Sequence, residues 1–504
     1  MLKINNLNIV TNTGRTLVSD FSFVLNEGDK IALIGEEGNG KSTILKIIAG
    51  IDVSDYLSYS GNIETDGRIG YMSQSISKED LSKDVISYID DEPDYNRIYS
   101  LLKRISVNPD LICERLMSTL SGGEKVKISL LKILYEDPDI LLLDEPSNDL
   151  DLETLIWLEE FIRNTQLPMI FVSHDETLLE NCANGILHLE QLKRKKEAHI
   201  SFSRTGYREY MESRNAYISR NNMIAAKEKQ ELHKQMEKWR KIYQKVEHSQ
   251  NSISRSDPHG GMMLKKKMHA VKSQQKILET RKENLRSTYE PEEAIDIFFN
   301  DVEMNPNKVI LDLELPTLRN EDKVLAENIH MKILGKDKVC IIGENGAGKT
   351  SLMRIIYEQL KDRTDIRVGY MPQNYYEMMD EELTPVGFLW DGNDFQEKSR
   401  IQTHLGSLKF TPEEMGHKIK DLSEGQKCKI LLLKLILDNN DVLLLDEPTR
   451  NLSPLSGPRI REILSDYNGC IIMVSHDRKL IEEVGNRIYT FSDGHLTLLD
   501  GRDI

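Results

Sequence analysis

Cysteine is scarce, and what there is carries no pattern. The five residues (Cys113, Cys182, Cys340, Cys428, Cys470) are scattered, odd in number and without CxxC spacing. That excludes a disulfide framework, a zinc site and an iron–sulfur cluster, and predicts a reducing, cytoplasmic setting. Long apolar runs are also missing. None approaches the ~18 residues of a membrane span, and the longest, such as 140–143 and 442–445, are of buried-strand length. The opening MLKINNLNIV has no signal-peptide core and reads as a strand. Positive charge is in deficit: 66 Lys and Arg stand against 82 Asp and Glu, a net of −16. By average field such a chain is a poor binder of nucleic acid. The average hides a split, because residues 191–290 hold 24 basic and 11 acidic side chains, a net of +13. The rest carries 42 against 71, a net of −29.

What is present is a repeat, in a chain of 504 residues that is about three ordinary domains long. GEEGNGKST at 35–43 returns as GENGAGKTS at 343–351, and YMSQ at 71–74 as YMPQ at 370–373. LSGGE at 120–124, LLLDEP at 141–146 and VSHD at 172–175 all return 302 positions later, the first as LSEGQ. The spacing predicts two copies of one α/β domain, at 1–205 and 296–504, around an insert at 206–295. Short apolar runs ending in Asp or a Gly-rich turn predict parallel strands buried on both faces.

The glycine turns are P-loops: Gly35, Gly38, Gly40, Lys41, Ser42 and Thr43, and again Gly343, Gly346, Gly348, Lys349, Thr350 and Ser351. Glycines let backbone N–H groups curl round phosphates, the lysine reaches the β- and γ-phosphates, and the hydroxyl of Ser42 or Thr350 ligates Mg²⁺. Asp144 and Asp446 end strands where they would hold that ion, and the following Glu145 and Glu447 would polarise the attacking water. His174 and His476 follow a further apolar run, where a γ-phosphate sensor would sit. Gln74 and Gln373 are candidates for ligating Mg²⁺ or placing the water.

Leu120, Ser121, Gly122, Gly123 and Glu124, with their counterparts Leu422, Ser423, Glu424, Gly425 and Gln426, resemble the signature motifs of ABC ATPases. A helix N-terminus rich in N–H groups suits an anion. The resemblance implies ATP and Mg²⁺ as cofactors and head-to-tail sites, the 35–43 loop facing the 422–426 signature and the 343–351 loop facing the 120–124 signature. Both sites have Lys, Glu and His, so both are expected to hydrolyse ATP. No aromatic for stacking the base precedes either P-loop, so adenine is implied by the family alone. Two departures stand out: Glu37 replaces the second loop's Asn345, and Ser453 replaces Asp151, removing one residue from the coupling expected across that interface.

The insert is basic and helical. From Tyr207 to about Val246 there is no Pro or Gly, and Leu232, Met236, Trp239, Tyr243 and Val246 follow a coiled-coil spacing of 4, 3, 4, 3. A second stripe, Leu264, Met268, Val271, Leu278 and Leu285, predicts an antiparallel hairpin around a polar tip loop at about 249–263, with Asp257-Pro258 as a helix start. Lys265, Lys266, Lys267, Lys272 and Lys276 stand in a stretch with no acid. Such a rod suits RNA phosphates. Two ATPase copies around a basic linker of about 90 residues resemble, over the whole chain, the ABC-F family of ribosome-associated ATPases. Only 80 positions separate Lys41 from Ser121, and 74 separate Lys349 from Ser423, leaving no room for an inserted arm. This plan is similar to the ribosome-protection members of the lincosamide, streptogramin A and pleuromutilin group. The resemblance implies a monomer with intramolecular pairing of its ATPase domains. It also implies a 70S ribosome as partner, with 23S rRNA and tRNA met by the linker. Ser252, Ile253, Arg255 and His259 are the tip residues expected nearest the RNA. Two other readings stay open: a housekeeping translation factor, and the ATPase subunit of a transporter.

Overall fold

The computed structural model describes residues 1–112, 115–191, 197–252, 258–286, 288–289, 302–320, 323–390, 392, 394–492 and 494–499. They divide into two compact units, residues 1–207 with 292–504, and residues 208–291.

The first unit is α/β and contains both copies. Each copy has a six-stranded sheet. In the first the order is Ile69–Met72, Ile140–Asp144, Met169–Val172, Lys30–Gly35, Gly185–Gln191, Glu197–Ser203. In the second it is Val368–Met371, Val442–Asp446, Cys470–Val474, Lys338–Gly343, Arg487–Ser492, His495–Leu498. Only the last strand of each runs antiparallel. The all-apolar runs explain the central strands: Leu141 to Leu143 and Leu443 to Leu445 are fully buried, because helices cover both faces of a parallel sheet. Each such leucine stabilises the fold by about 1.5–3 kcal/mol. Alternating patterns such as Leu2–Thr11 go instead to smaller antiparallel sheets, which pack one face only. At the carboxyl ends of the parallel strands, where ligands bind in open α/β sheets, lie the P-loops and the Asp-Glu pairs.

The second unit is an antiparallel hairpin of two helices, Tyr207–Ser252 and Pro258–Glu283. Paired positions run in opposite directions: Asn222 bonds Tyr289, Gln235 accepts from Arg281, and the Trp239 indole N–H donates to the Val271 carbonyl at 2.9 Å. The two predicted stripes are its inward faces, with Leu232, Val271 and Leu278 buried and the others half-buried. The first helix, 46 residues, is about 70 Å long at ~1.5 Å per residue.

The tip differs from expectation. Helix continues through 249–252 and resumes at Pro258, so most of the predicted loop at 249–263 is helical. Nothing in 247–252 breaks a helix, and the Ser249 and Ser252 hydroxyls bond carbonyls one turn back. Gly260 and Gly261 lower helix propensity by about 1 kcal/mol each without ending the helix that Pro258 starts. Ser252 and His259 are therefore helical residues, while Ile253, Arg255 and Asp257, the cap expected from the sequence, lie outside the described residues. Among the described residues no helix is long and apolar enough to cross a membrane.

Candidate functional site

Both P-loops lead from a buried strand into a helix whose N-cap glycine, Gly40 or Gly348, has φ of 92° or 109°. Only glycine adopts that conformation readily. Lys41 folds over the loop, its ammonium donating to the Gly35 and Glu36 carbonyls at 2.8 and 3.2 Å. Lys349 donates likewise to Gly343 and Glu344 at 2.7 and 2.8 Å. Glu145 and Glu447 sit in the left-handed region at φ of 52° and 53°. For a non-glycine residue this strain costs about 1–3 kcal/mol and is typical of functional positions.

In the first copy the polar groups are paired. Ser42 donates to Asp144 at 3.0 Å and the Tyr71 hydroxyl to its other oxygen at 3.3 Å. Glu145 receives Gln74 at 2.8 Å, Asn148 at 2.5 Å and His174 Nε2 at 2.9 Å. His174 Nδ1 reaches the Leu452 carbonyl of the second copy at 2.7 Å. A carbonyl and a carboxylate only accept, so both ring nitrogens donate and His174 is an imidazolium. Burial lowers its pKa, but the bond to Glu145 and its charge outweigh that and raise it. Burial would likewise raise Glu145, yet His174 and Lys41 hold it down to about 2.

The first P-loop is also pinned to the opposite copy. The Gly425 N–H donates to Glu37 Oε2 at 2.7 Å. Glu36 accepts from Lys429 at 2.9 Å, from Ser456 at 2.8 Å and from Ser453. Burial raises the Glu36 pKa, but Lys429 and the serines outweigh it and hold it at about 2. Replacement of Asp151 by Ser453 thus leaves a working contact, because a hydroxyl donates to Glu36 where a carboxylate would repel it. A gap of about 30 Å³ is lined by Glu36 and Glu37 and by Phe410, Lys429 and Ser453 of the second copy.

The second copy is the reverse. A cavity of about 660 Å³ opens between the 343–351 loop and the first copy's Gly122, Asn148 and Asp149, with Gln373, Asp446, Glu447 and His476 on its wall. Asn345 donates to the Asp149 carbonyl across it at 2.6 Å. Both carboxylate oxygens of Asp446 and Oε1 of Glu447 are buried without a hydrogen-bond partner. Burial, then the charge of Asp446, pushes Glu447 up to about 8. His476 is lowered to about 4 by burial and by Lys349. Its Nε2 stands 3.8 Å from Glu447 Oε1, beyond a hydrogen bond. Orphaned carboxylate oxygens next to a P-loop hydroxyl are a donor set for a hard divalent cation. The residues present therefore fit Mg²⁺.

The head-to-tail pairing of loops and signatures expected from the sequence is the arrangement observed. Gly38, Gly346, Thr43 and Ser351 lie in the loops and first helical turns beside it. Ser121 and Ser423 cap the signature helices, and Glu124 and Gln426 complete capping boxes with them, which gives the latter pair a local structural task. Sequence reasoning missed Glu36, Asn148, Tyr71 and Lys429. For Glu36 and Lys429 no signal exists, because the partners lie 393 residues apart; Asn148 carried one, three residues beyond Glu145.

The "ABC transporter" family model matches residues 18–148 and again 326–450. The chain is 30% identical to the ribosome protection protein VmlR of Bacillus subtilis (strain 168), over 94% of this chain and 83% of that one. It is 27% identical to ABC transporter F family member 5 of Arabidopsis thaliana, over 96% of this chain and 74% of that one. Among solved structures, the archaeal ribosome recycling factor aABCE1 in complex with the stalk protein aP1 aligns with a TM-score of 0.59 at 18% identity, covering 95% of this chain and 86% of that one, a likeness of fold. With two matched ATP-binding domains on one polypeptide, the chain belongs to the ABC family of ATP hydrolases, and within it to the F branch.

Proposed function

We propose that this ATPase works on the bacterial ribosome. ATP draws the two copies together, the basic hairpin is placed against ribosomal RNA and tRNA near the peptidyl-transferase centre, bound antibiotic is dislodged, and hydrolysis releases the protein. The observation that supports this most is the separate helical unit, lysine-rich along 265–276, carried by a chain whose other unit holds two nucleotide sites. The relative named as a ribosome protection protein supports it too.

In this reading Lys41 and Lys349 hold the terminal phosphates, and the signature N–H groups of the opposite copy receive them. Glu145 and Glu447 orient the attacking water, and His174 and His476 sense the terminal phosphate. Ser42, Asp144 and Gln74, and Thr350, Asp446 and Gln373, would hold Mg²⁺, which neutralises charge on the phosphates during cleavage. Glu145→Gln combined with Glu447→Gln should lower turnover by about two orders of magnitude or more. With ATP, that variant should co-sediment with ribosomes, and its absence from the ribosomal pellet would sink the proposal. Exchange of the hairpin tip for a Gly/Ser spacer should abolish protection against peptidyl-transferase drugs and spare ATP hydrolysis.

A housekeeping translation factor is the second reading. The same two nucleotide sites and basic hairpin would serve it. Growth impaired by deletion without drug, at unchanged drug susceptibility, would decide for it.

A further inference from the structure

The two nucleotide sites are built from the same motifs, and of the loop positions at which they differ only one changes a charge, Glu37 in the first and Asn345 in the second. The difference has a geometric consequence. Glu37 crosses the interface and its carboxylate accepts the Gly425 N–H at 2.7 Å. Gly425 is in the first turn of the helix capped by Ser423, so its N–H is one of the unpaired donors of a helix N-terminus. A Cβ on Gly425 would collide with Glu37 Oε1, which shows how closely the carboxylate is seated. Asn345 instead gives its amide N–H to the Asp149 carbonyl and offers the facing signature no negative charge.

We propose that the Glu37 carboxylate is a resident anion at the second copy's signature, standing where the terminal phosphate of ATP is received, so that the first site takes ATP only when Glu37 swings out and the second site loads first. Three observations beyond the hydrogen bond agree. The carboxylate is drawn into a position where burial raises its pKa, with His174, Ser423 and Lys41 offsetting that cost. Glu145 of the same site already accepts from Gln74, Asn148 and His174. In the second site Glu447 Oε1 has no hydrogen-bond partner, and its Oε2 accepts only the His476 backbone N–H at 3.4 Å. Glu37 is thus a residue that orders the use of two sites built from the same motifs. The inference rests on the assignment of the ATP sites and is independent of the ribosome.

The test isolates the first site in the full chain with Lys349→Ala and titrates it with N-methylanthraniloyl-ATP. If the carboxylate is seated nine-tenths of the time, apparent affinity is reduced about tenfold. Glu37→Asn, which copies the second loop, should therefore bind about tenfold tighter. Glu37→Asp should do the same, because a carboxylate one methylene shorter keeps the charge but loses its reach to Gly425. Equal affinities in parent and E37N overturn the gate. Tighter binding by E37N with E37D unchanged also overturns it, since simple charge repulsion would then suffice. No binding by any of them refutes the ATP assignment of this site and the gate with it. Should E37N fail to fold, Asn345→Glu in a Lys41→Ala background carries the test at the second site: about tenfold weaker binding is expected, and unchanged binding overturns the proposal.

Discussion

Glu145 and Glu447 are the same residue in the same motif, in opposite electrostatic states. Glu145 is held at about 2, below its usual range. Its stabilising contribution is present above pH ~4.5 and is lost as pH falls toward 2. Glu447 is pushed to about 8. Its protonated form is favoured by folding, so stability is full below pH ~4.5 and declines as pH rises toward 8. Neutral glutamine should therefore act with opposite signs at pH 8 without nucleotide. Glu145→Gln should destabilise the fold by about 1–3 kcal/mol, through loss of the His174 pair. Glu447→Gln should stabilise it by a similar amount. Thermal melts of the two variants at pH 8 and pH 5 check this, and a shared sign would refute it. At this scale the sequence was legible wherever chemistry is written in local spacing, as in the loops, the Asp-Glu pairs and the histidines. It was silent on Glu36, whose partners Ser453 and Ser456 are 417 and 420 residues away. Ser453 looked like a missing carboxylate, and only its position beside Glu36 explains why a hydroxyl serves there.

The hairpin and the signature helices behave as elements that owe their stability to a few positions. Leu232 is buried on the inward face of the longer helix. Leu232→Ala should cost about 2–4 kcal/mol, read as faster amide hydrogen exchange within 208–286 while the strands of the α/β unit keep their protection. Trp239→Phe keeps a ring but removes the bond to the Val271 carbonyl, about 1 kcal/mol. Ser423→Ala removes a cap and half of a capping box, again about 1 kcal/mol, and a melt insensitive to it would deny the cap a stabilising role. Periodicity made the stripes of the hairpin legible. The helix ends were not, because 249–252 is polar without being helix-breaking, and composition alone does not separate a polar helix turn from a polar loop.

Across the whole α/β unit, ion pairs tie the copies together away from the nucleotide clefts. Arg461 is buried and holds Glu176 at 2.7 Å and Glu483 at 2.8 Å. Arg478 pairs with Glu159 and Asp175, and Lys479 meets Glu180 at 2.6 Å. Without Glu176 the buried Arg461 keeps only the half-exposed Glu483 of its own copy, so the loss stays below the ~3–5 kcal/mol of a fully stranded charge. Glu176→Ala should therefore loosen the second copy from the first, seen as protease cleavage at lower temperature, and an unchanged cleavage profile would refute that linkage. Duplication was legible from the repeats, but which surfaces of the copies meet was not. These contacts also have a place in time. Tyr207 donates to the carbonyl of Pro454, 247 residues further along, and Glu36, Glu37 and His174 all await acceptors or donors made late. At 5–20 residues per second, about 12–50 s pass before Tyr207 finds its partner. During synthesis the finished first half must present this face to water, and its charged side chains keep the nascent chain soluble until the second half emerges to cover them.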